Sequence, residues 1–364
     1  MKRILYVGGF ELPDKNAAAQ RVLSVGKALR EMGFEVRFYG ITHSNDIKGS
    51  VSGFDYEAYP YPKGTLGWFK YALGDTILSY IDSQKPDYVI LYNYPAIAQE
   101  KVVKYCRNRG IKTIGDITEW YRFVSFPKWV DTSLRMRVSN KHLDGIISIS
   151  RYLSNFYSEQ NYIQLPPLVD KSEPKWATVP QKCADDKIHL VYIGNTTVKD
   201  RLDKILRGIK GAGANRFYID IIGITEERYQ QIYQQPVSPD INVCFHGRLP
   251  HLDTFSYLMA ADFQIFFRDN KRVNNAGFPT KFVESMSAGV PVITNRISNI
   301  DDYIRNGINS FMIETPEDDE IRKILVKVSQ LSSEDIKKMK SSCLRDDFDF
   351  HNYVDALSSF IEAL

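Results

Sequence analysis

Short apolar runs alternating with longer amphipathic ones, in two successive series, most limit the folds open to this chain. Arg3–Val7, Glu35–Ile41, Tyr88–Tyr92, Lys112–Ile117 and Gly145–Ile149 read as strands covered on both faces. Between the first two, Ala17–Met32 brings Val22, Val25, Ala28, Leu29 and Met32 onto one helical face and stops at Gly33. Leu66–Ser83, Ala96–Arg109, Asp131–Lys141 and Tyr152–Glu159 read as further helices. A second series of strands runs Ile188–Ile193, Phe217–Gly223, Val243–Gly247, Phe263–Phe267, Val290–Thr294 and Phe311–Ile313. Helices are expected there at Asp200–Arg207, Glu226–Gln234, Thr254–Ala260, Thr280–Ala288 and Glu317–Gln330. The stretch between the series, 166–186, is rich in Pro, Lys, Asp and Glu and has no period, as a linker would.

Strand–helix alternation of this kind implies a parallel sheet with helices on both faces. The expectation is an α/β chain of two Rossmann-like doubly wound domains, 1–165 and 187–345, facing a cleft. Residues 346–364 form one more amphipathic helix, with Tyr353, Val354, Leu357, Phe360 and Ile361 on its stripe and no strand after it.

Composition narrows the class. With 43% hydrophobic and 25% charged residues in 364, the chain is neither disordered nor fibrous. No apolar run approaches the roughly 18 residues of a membrane span. The apolar segment after Met1-Lys2-Arg3 is too short for a signal peptide and reads as a strand, and a reducing cytoplasm is expected from the cysteine usage. The four cysteines, Cys106, Cys183, Cys244 and Cys343, lack metal-site or disulfide spacing. The net charge of +3 divides into +6 up to Leu165 and −3 beyond it. An anionic partner suits the first half, but the excess is too dilute for a nucleic-acid footprint.

In doubly wound sheets, ligands bind in the loops after the strands, so the informative motifs are there. Gly8-Gly9, with Arg21 on the next helix, suits a phosphate or simply a tight turn. Gly115-Asp116-Ile117-Thr118-Glu119-Trp120 offers two carboxylates and an indole. Trp120 could stack on a sugar, and Asp116 or Glu119 could accept hydroxyl hydrogen bonds or act as a base. Glu119 could equally cap a helix or pair with Arg122. Gly194-Asn195, with Lys199 and Arg201, suits a diphosphate or reads as a solvated loop with an Arg–Asp pair. In Gly277-Phe278-Pro279-Thr280-Lys281-Phe282-Val283-Glu284, a shaped loop enters a helix with a cation in its first turn. Glu284, one turn further, can accept both hydroxyls of a ribose.

These segments, together with Asp144–Leu153, Tyr192-Ile193-Gly194, Phe245-His246-Gly247-Arg248, Ala261-Asp262 and Pro279–Ile293, resemble bacterial family 4 glycosyltransferases of the GT-B fold. The resemblance implies an N-terminal acceptor domain and a C-terminal domain for a nucleoside-diphosphate sugar. It also implies that the final helix returns to the N-terminal domain. By the same likeness Glu284 holds the donor ribose, Lys199 neutralises the diphosphate, and Gly247 and Arg248 lie beside the nucleobase. The family's first paired glutamate falls on Ala276, eight residues before Glu284; Lys281 and nearby amides are expected to replace it.

Asp116, Glu119, Lys281 and Glu284 are thus the catalytic candidates. Gly194, Asn195, Lys199, Arg201, Gly247, Arg248, Gly277, Phe278, Pro279, Thr280, Lys281 and Glu284 are expected at the donor, and Gly8, Gly9, Arg21 and Trp120 at the acceptor or phosphate. The expected reaction is transfer from a UDP-sugar, with retention, to a glycan or lipid-linked acceptor of surface polysaccharide synthesis. No cofactor and no metal are expected, since no Asp pair stands where an ion would bridge the diphosphate. Trp68-Phe69-Lys70-Tyr71 and Lys128-Trp129 add an expectation of peripheral contact with anionic membrane at its inner face. The alternatives are a non-catalytic glycosyltransferase-like partner and, behind it, a GT-B sugar-nucleotide epimerase. Neither half carries the GxGxxG fingerprint of a nicotinamide enzyme.

Overall fold

The computed structural model describes residues 1–364 except 14–15, 75, 122–124, 179, 181–184 and 195–198. The chain divides into two compact units. The first holds residues 1–169, 276–278 and 349–364; the second holds 170–275 and 279–348.

The first unit contains β1 (Arg3–Gly8), α1 (Ala17–Glu31), β2 (Glu35–Thr42), β3 (Lys48–Val51), β4 (Phe54–Pro60), α2 (Gly64–Leu73), α3 (Ile77–Gln84) and β5 (Tyr88–Tyr92). It continues with α4 (Ala96–Arg107), β6 (Lys112–Ile117), α5 (Phe126–Arg137), β7 (Gly145–Ser148), α6 (Arg151–Phe156) and β8 (Tyr162–Gln164). The strands form one sheet in the order β3-β4-β2-β1-β5-β6-β7-β8, parallel except for the β3–β4 pair.

Burial on both faces explains the unbroken apolar strands. Along β1, Ile4 and Tyr6 join a core with α1, while Leu5 and Val7 join another with α3 and α4. Three features depart from the sequence expectation. The helix expected over Leu66–Ser83 is two helices, because Gly74 takes a left-handed conformation (φ 66°) and ends α2. The β3–β4 hairpin was not legible in its polar strands, yet Ser52 and Gly53 both take positive φ, the signature of a two-residue hairpin turn. β8 was also missed.

The second unit contains β9 (Ile188–Ile193), α7 (Leu202–Gly211), β10 (Phe217–Ile222), α8 (Glu226–Tyr233), β11 (Asn242–Gly247), α9 (His251–Ala260) and β12 (Phe263–Ile265). There follow α10 (Arg272–Ala276), whose last residue groups with the first unit, α11 (Thr280–Ala288), β13 (Val292–Asn295), β14 (Phe311–Ile313), α12 (Asp318–Ser329) and α13 (Ser333–Ser341). Its six strands are all parallel, in the order β11-β10-β9-β12-β13-β14. α10 and α13 carry too little apolar periodicity to be read in advance.

The last helix, α14 (Val354–Glu362), packs within the first unit. Leu357, Phe360 and Ile361 are buried in the same core as Ala19 and Val22 of α1, at i, i+3, i+4 spacing. Each such side chain contributes about 1.5–3 kcal/mol by leaving water.

Candidate active site

In the second unit, a charged cluster stands where β9 and β12 end. Asp200 follows the loop after β9, and it forms an isolated antiparallel bridge with Arg268, just beyond β12. Arg268 Nε donates to Asp200 Oδ1 at 2.6 Å, and Lys281 Nζ, from the first turn of α11, to Oδ2 at 2.5 Å. Tyr192 OH donates to the same Oδ2 at 3.0 Å, and Tyr233 OH to the Asp200 carbonyl at 2.9 Å. Asn295, at the end of β13, braces Arg268: its Oδ1 accepts from the Arg268 amide and its Nδ2 donates to the Arg268 carbonyl.

The electrostatics follow from burial. Burial opposes ionisation of Asp200, but Arg268 and then Lys281 outweigh it and hold the carboxyl well below its ordinary value. Burial lowers the Lys281 ammonium, which Asp200 only partly restores. Burial, reinforced by Asp200, pushes the Tyr192 phenol far up, so it remains a donor. Two cations face one anion in the cluster, and Glu284 adds a further negative charge acting on Lys281.

Gly194 borders the cluster. A Cβ there would lie 2.8 Å from Lys281 Nζ and 3.0 Å from Tyr192 OH, so only glycine leaves these groups in place. α11 begins at Pro279 with no side-chain cap, and its first amides therefore keep donor capacity beside Lys281. Glu284 lies one turn further on, half-buried, with His251 Nε2 3.5 Å from its Oε1.

Of the other expected donor residues, Lys199 is half-buried and Arg248 is exposed beyond β11. Gly247 is buried, with φ 64°. Gly277 and Phe278 group with the first unit, whereas Pro279, Thr280 and the rest of α11 belong to the second. Asn195 lies outside the described residues. Arg201 departs from its expected role, because its guanidinium is held by Asp203 at 3.2 Å and Asp269 at 3.1 Å. The Arg–Asp alternative is the one seen, and that cation is already compensated. Sequence reasoning missed Arg268, whose only signal was a cation directly after the apolar run Phe263–Phe267.

The first unit corrects three further assignments. Asp116, 0% exposed, is not placed as a base or hydroxyl acceptor. Arg21 Nη2 reaches its Oδ1 at 2.8 Å and Tyr6 OH its Oδ2 at 2.5 Å. Arg21, 4% exposed, is likewise no phosphate ligand here, since its remaining donors go to the Leu165 and Pro166 carbonyls. The pair ties α1 to β6 and to the start of the connection beyond β8. Trp120 is buried against Phe156 (4.7 Å between ring centres) and Tyr152 rather than presented for stacking.

Gly8 serves close strand approach, because a Cβ there would lie 2.6 Å from the Tyr92 Cβ of β5. Gly9 is exposed, with open space around it. Glu119 is half-buried and accepts from Tyr121, whose phenol is pushed up by burial and then by Glu119. Ala276, where the resemblance placed a glutamate, is fully buried, and its carbonyl accepts from Ser150 Oγ at 2.8 Å.

Known proteins share both the second unit's sequence pattern and the fold of the whole chain. Residues 187–334 match the family "Glycosyl transferases group 1". No curated protein matches the chain. Among solved structures, the catalytic domain of starch synthase IV from Arabidopsis thaliana, bound to ADP and acarbose, is similar with a TM-score of 0.74 at 12% identity; the match covers 100% of this chain and 99% of that one. HepE from Anabaena in complex with UDP and glucose is similar with a TM-score of 0.72 at 12% identity, covering 100% of both chains. The lipopolysaccharide outer core galactosyltransferase WaaB is similar with a TM-score of 0.68 at 14% identity, covering 99% of both chains. Residues 187–334 of the second unit are thus similar to group 1 glycosyl transferases, and the chain has the GT-B fold of two Rossmann-like units.

Proposed function

We propose that this chain is a metal-independent glycosyltransferase that moves a sugar from a nucleoside diphosphate, UDP by preference, to a glycan or lipid-linked acceptor of surface polysaccharide synthesis. The observation that carries the reading is the Lys281–Arg268–Asp200 cluster beside Gly194 and the uncapped start of α11. Departure of a nucleoside diphosphate builds negative charge on its phosphates, and preorganised cations and amides aimed at that charge are the main catalytic demand. Lys281 and the α11 amides supply them, with Lys199 as a further cation. Glu284 accepts the ribose hydroxyls. Glu119 is the remaining carboxylate candidate of the first unit, and retention at the anomeric carbon belongs to the same reading.

A membrane-associated acceptor is favoured by a separate observation. α2 exposes Leu66, Trp68 and Phe69, and α5 exposes Phe126, Trp129, Val130 and Leu134. Lys63, Lys70, Lys128 and Arg137, on or next to the same two helices, are exposed as well. Helices that expose both apolar side chains and cations suit the inner surface of an anionic bilayer. No helix among the described residues is long and apolar enough to cross a membrane.

The test is a thermal-shift screen of nucleoside-diphosphate sugars on the purified chain, followed by a transfer assay. A true donor at 100 times its Kd stabilises the fold by about 2.7 kcal/mol. E284Q and K199M should keep the wild-type melting temperature and lose transfer; full activity in both ends the assignment. Donor binding without transfer or hydrolysis supports the non-catalytic alternative instead.

A further inference from the structure

On the α9 side of the second sheet, three chemically different side chains converge that the donor reading does not use. Asp220 of β10 and Cys244 of β11 are register partners across the parallel pair. His246 lies two residues beyond Cys244, at the bulge where the register shifts and Ile221 pairs with Phe245 but Ile222 with Gly247. One ligand atom from each of Asp220, Cys244 and His246 lies within 4.8 Å of the others, and all three residues are half-buried. His246 Nε2 is 2.6 Å from Asp220 Oδ1. The Tyr257 ring of α9 covers His246 at 4.4 Å between centres.

We propose that Asp220, Cys244 and His246 form a Zn(II) site with solvent in the fourth position. The donor set selects the ion. Mg(II) and Ca(II) take oxygen ligands, whereas one thiolate, one imidazole and one carboxylate suit zinc. At zinc–ligand distances of about 2.0–2.3 Å, tetrahedral ligand atoms lie about 3.3–3.6 Å apart. From the spread seen here, the His246–Asp220 separation opens by about 1 Å or less and the longer separations, at most 4.8 Å, close by up to about 1.5 Å. Binding releases the Cys244 thiol proton to solvent, and His246 carries its remaining proton on Nδ1. The ion joins β11, the edge strand of the sheet, to β10, so its first effect is to fasten that edge. Spacing rules miss such a site because its ligands are a Cys-x-His pair on one strand and a carboxylate from the neighbouring strand.

The inference does not rest on the proposed function and is tested without activity. The whole chain, stripped with EDTA and dialysed, is titrated with Co(II) and with Zn(II). The expected result is one equivalent of Co(II), with near-ultraviolet thiolate-to-cobalt absorption and visible bands of a four-coordinate ion, displaced by Zn(II). C244S and H246Q should each weaken Zn(II) binding by more than the 10–100-fold typical of losing an outer partner. Because a variant could fail to fold, wild-type protein is also alkylated with and without Zn(II) and mapped by mass spectrometry. Zn(II) should protect Cys244 selectively. A cobalt spectrum without thiolate absorption, unaltered affinity in C244S, or equal alkylation of Cys244 with and without Zn(II) overturns the proposal.

Discussion

Replacing Asp200 by Asn separates what the charged cluster does for the fold from what it does for the reaction. In the wild type, Asp200 is the anion at 2.6 Å from Arg268 and 2.5 Å from Lys281. D200N leaves two nearly buried cations facing each other without a counter-charge. Breaking a buried ion pair from one side costs about 3–5 kcal/mol. For a unit of this size, a kilocalorie corresponds to about 2–4 °C, so melting of the second unit should fall by about 6–20 °C. K281M differs, because it keeps the Asp200–Arg268 pair and the Tyr192 hydrogen bond, with one charge of each sign. Because no buried charge is then left without a counter-charge, melting should fall by less than in D200N. Turnover should nevertheless fall by about 10²–10³, the cost of removing one preorganised electrostatic group.

Differential scanning calorimetry and a transfer assay on the same preparations read both effects. The pH dependence adds a check with a defined sign. The carboxyl of Asp200 is held below its unfolded value near 3.9, so its contribution is complete above about pH 4. It is lost as pH falls through the native value, and the gap between wild type and D200N should narrow there. Equal melting of D200N and wild type at neutral pH, or equal losses in D200N and K281M, refutes the reasoning.

Two further outcomes concern the first unit. D116N strands the Arg21 guanidinium and should destabilise that unit by about 3–5 kcal/mol in denaturant unfolding. Activity per folded molecule should survive, and a specific loss of turnover at unchanged stability would return Asp116 to the chemistry. The wild type should sediment with anionic vesicles at low salt, and W68S combined with W129S should weaken that binding without altering transfer to a water-soluble acceptor. No binding at low salt, or an unchanged double variant, removes the membrane reading.

The sequence by itself determined the architecture. Strand and helix periods are local properties, so β5, β6, β9, β14 and α11 were read to the residue, and two series of βα units followed. Periodicity also marked the amphipathic stripe of α14. It did not reach the polar β3–β4 hairpin, where the turn pair Ser52-Gly53 carried the only signal. The candidate site was legible as segments: Gly194, Lys281 and Glu284 stand out because a glycine, a cation and a carboxylate at a strand end or helix start are chemically conspicuous.

Which charges pair with which was decided only by the tertiary structure. Asp200 meets Arg268 and Lys281 across 68 and 81 residues, and Arg21 meets Asp116 across 95. The second pairing makes Asp116 and Arg21 a buried brace, Asp203 and Asp269 compensate Arg201, and Asp200 draws Lys281 and Arg268 into one cluster. Charge type is written in the chain, but partner and burial, which set whether a charge is available to a ligand, depend on contacts that no local pattern encodes.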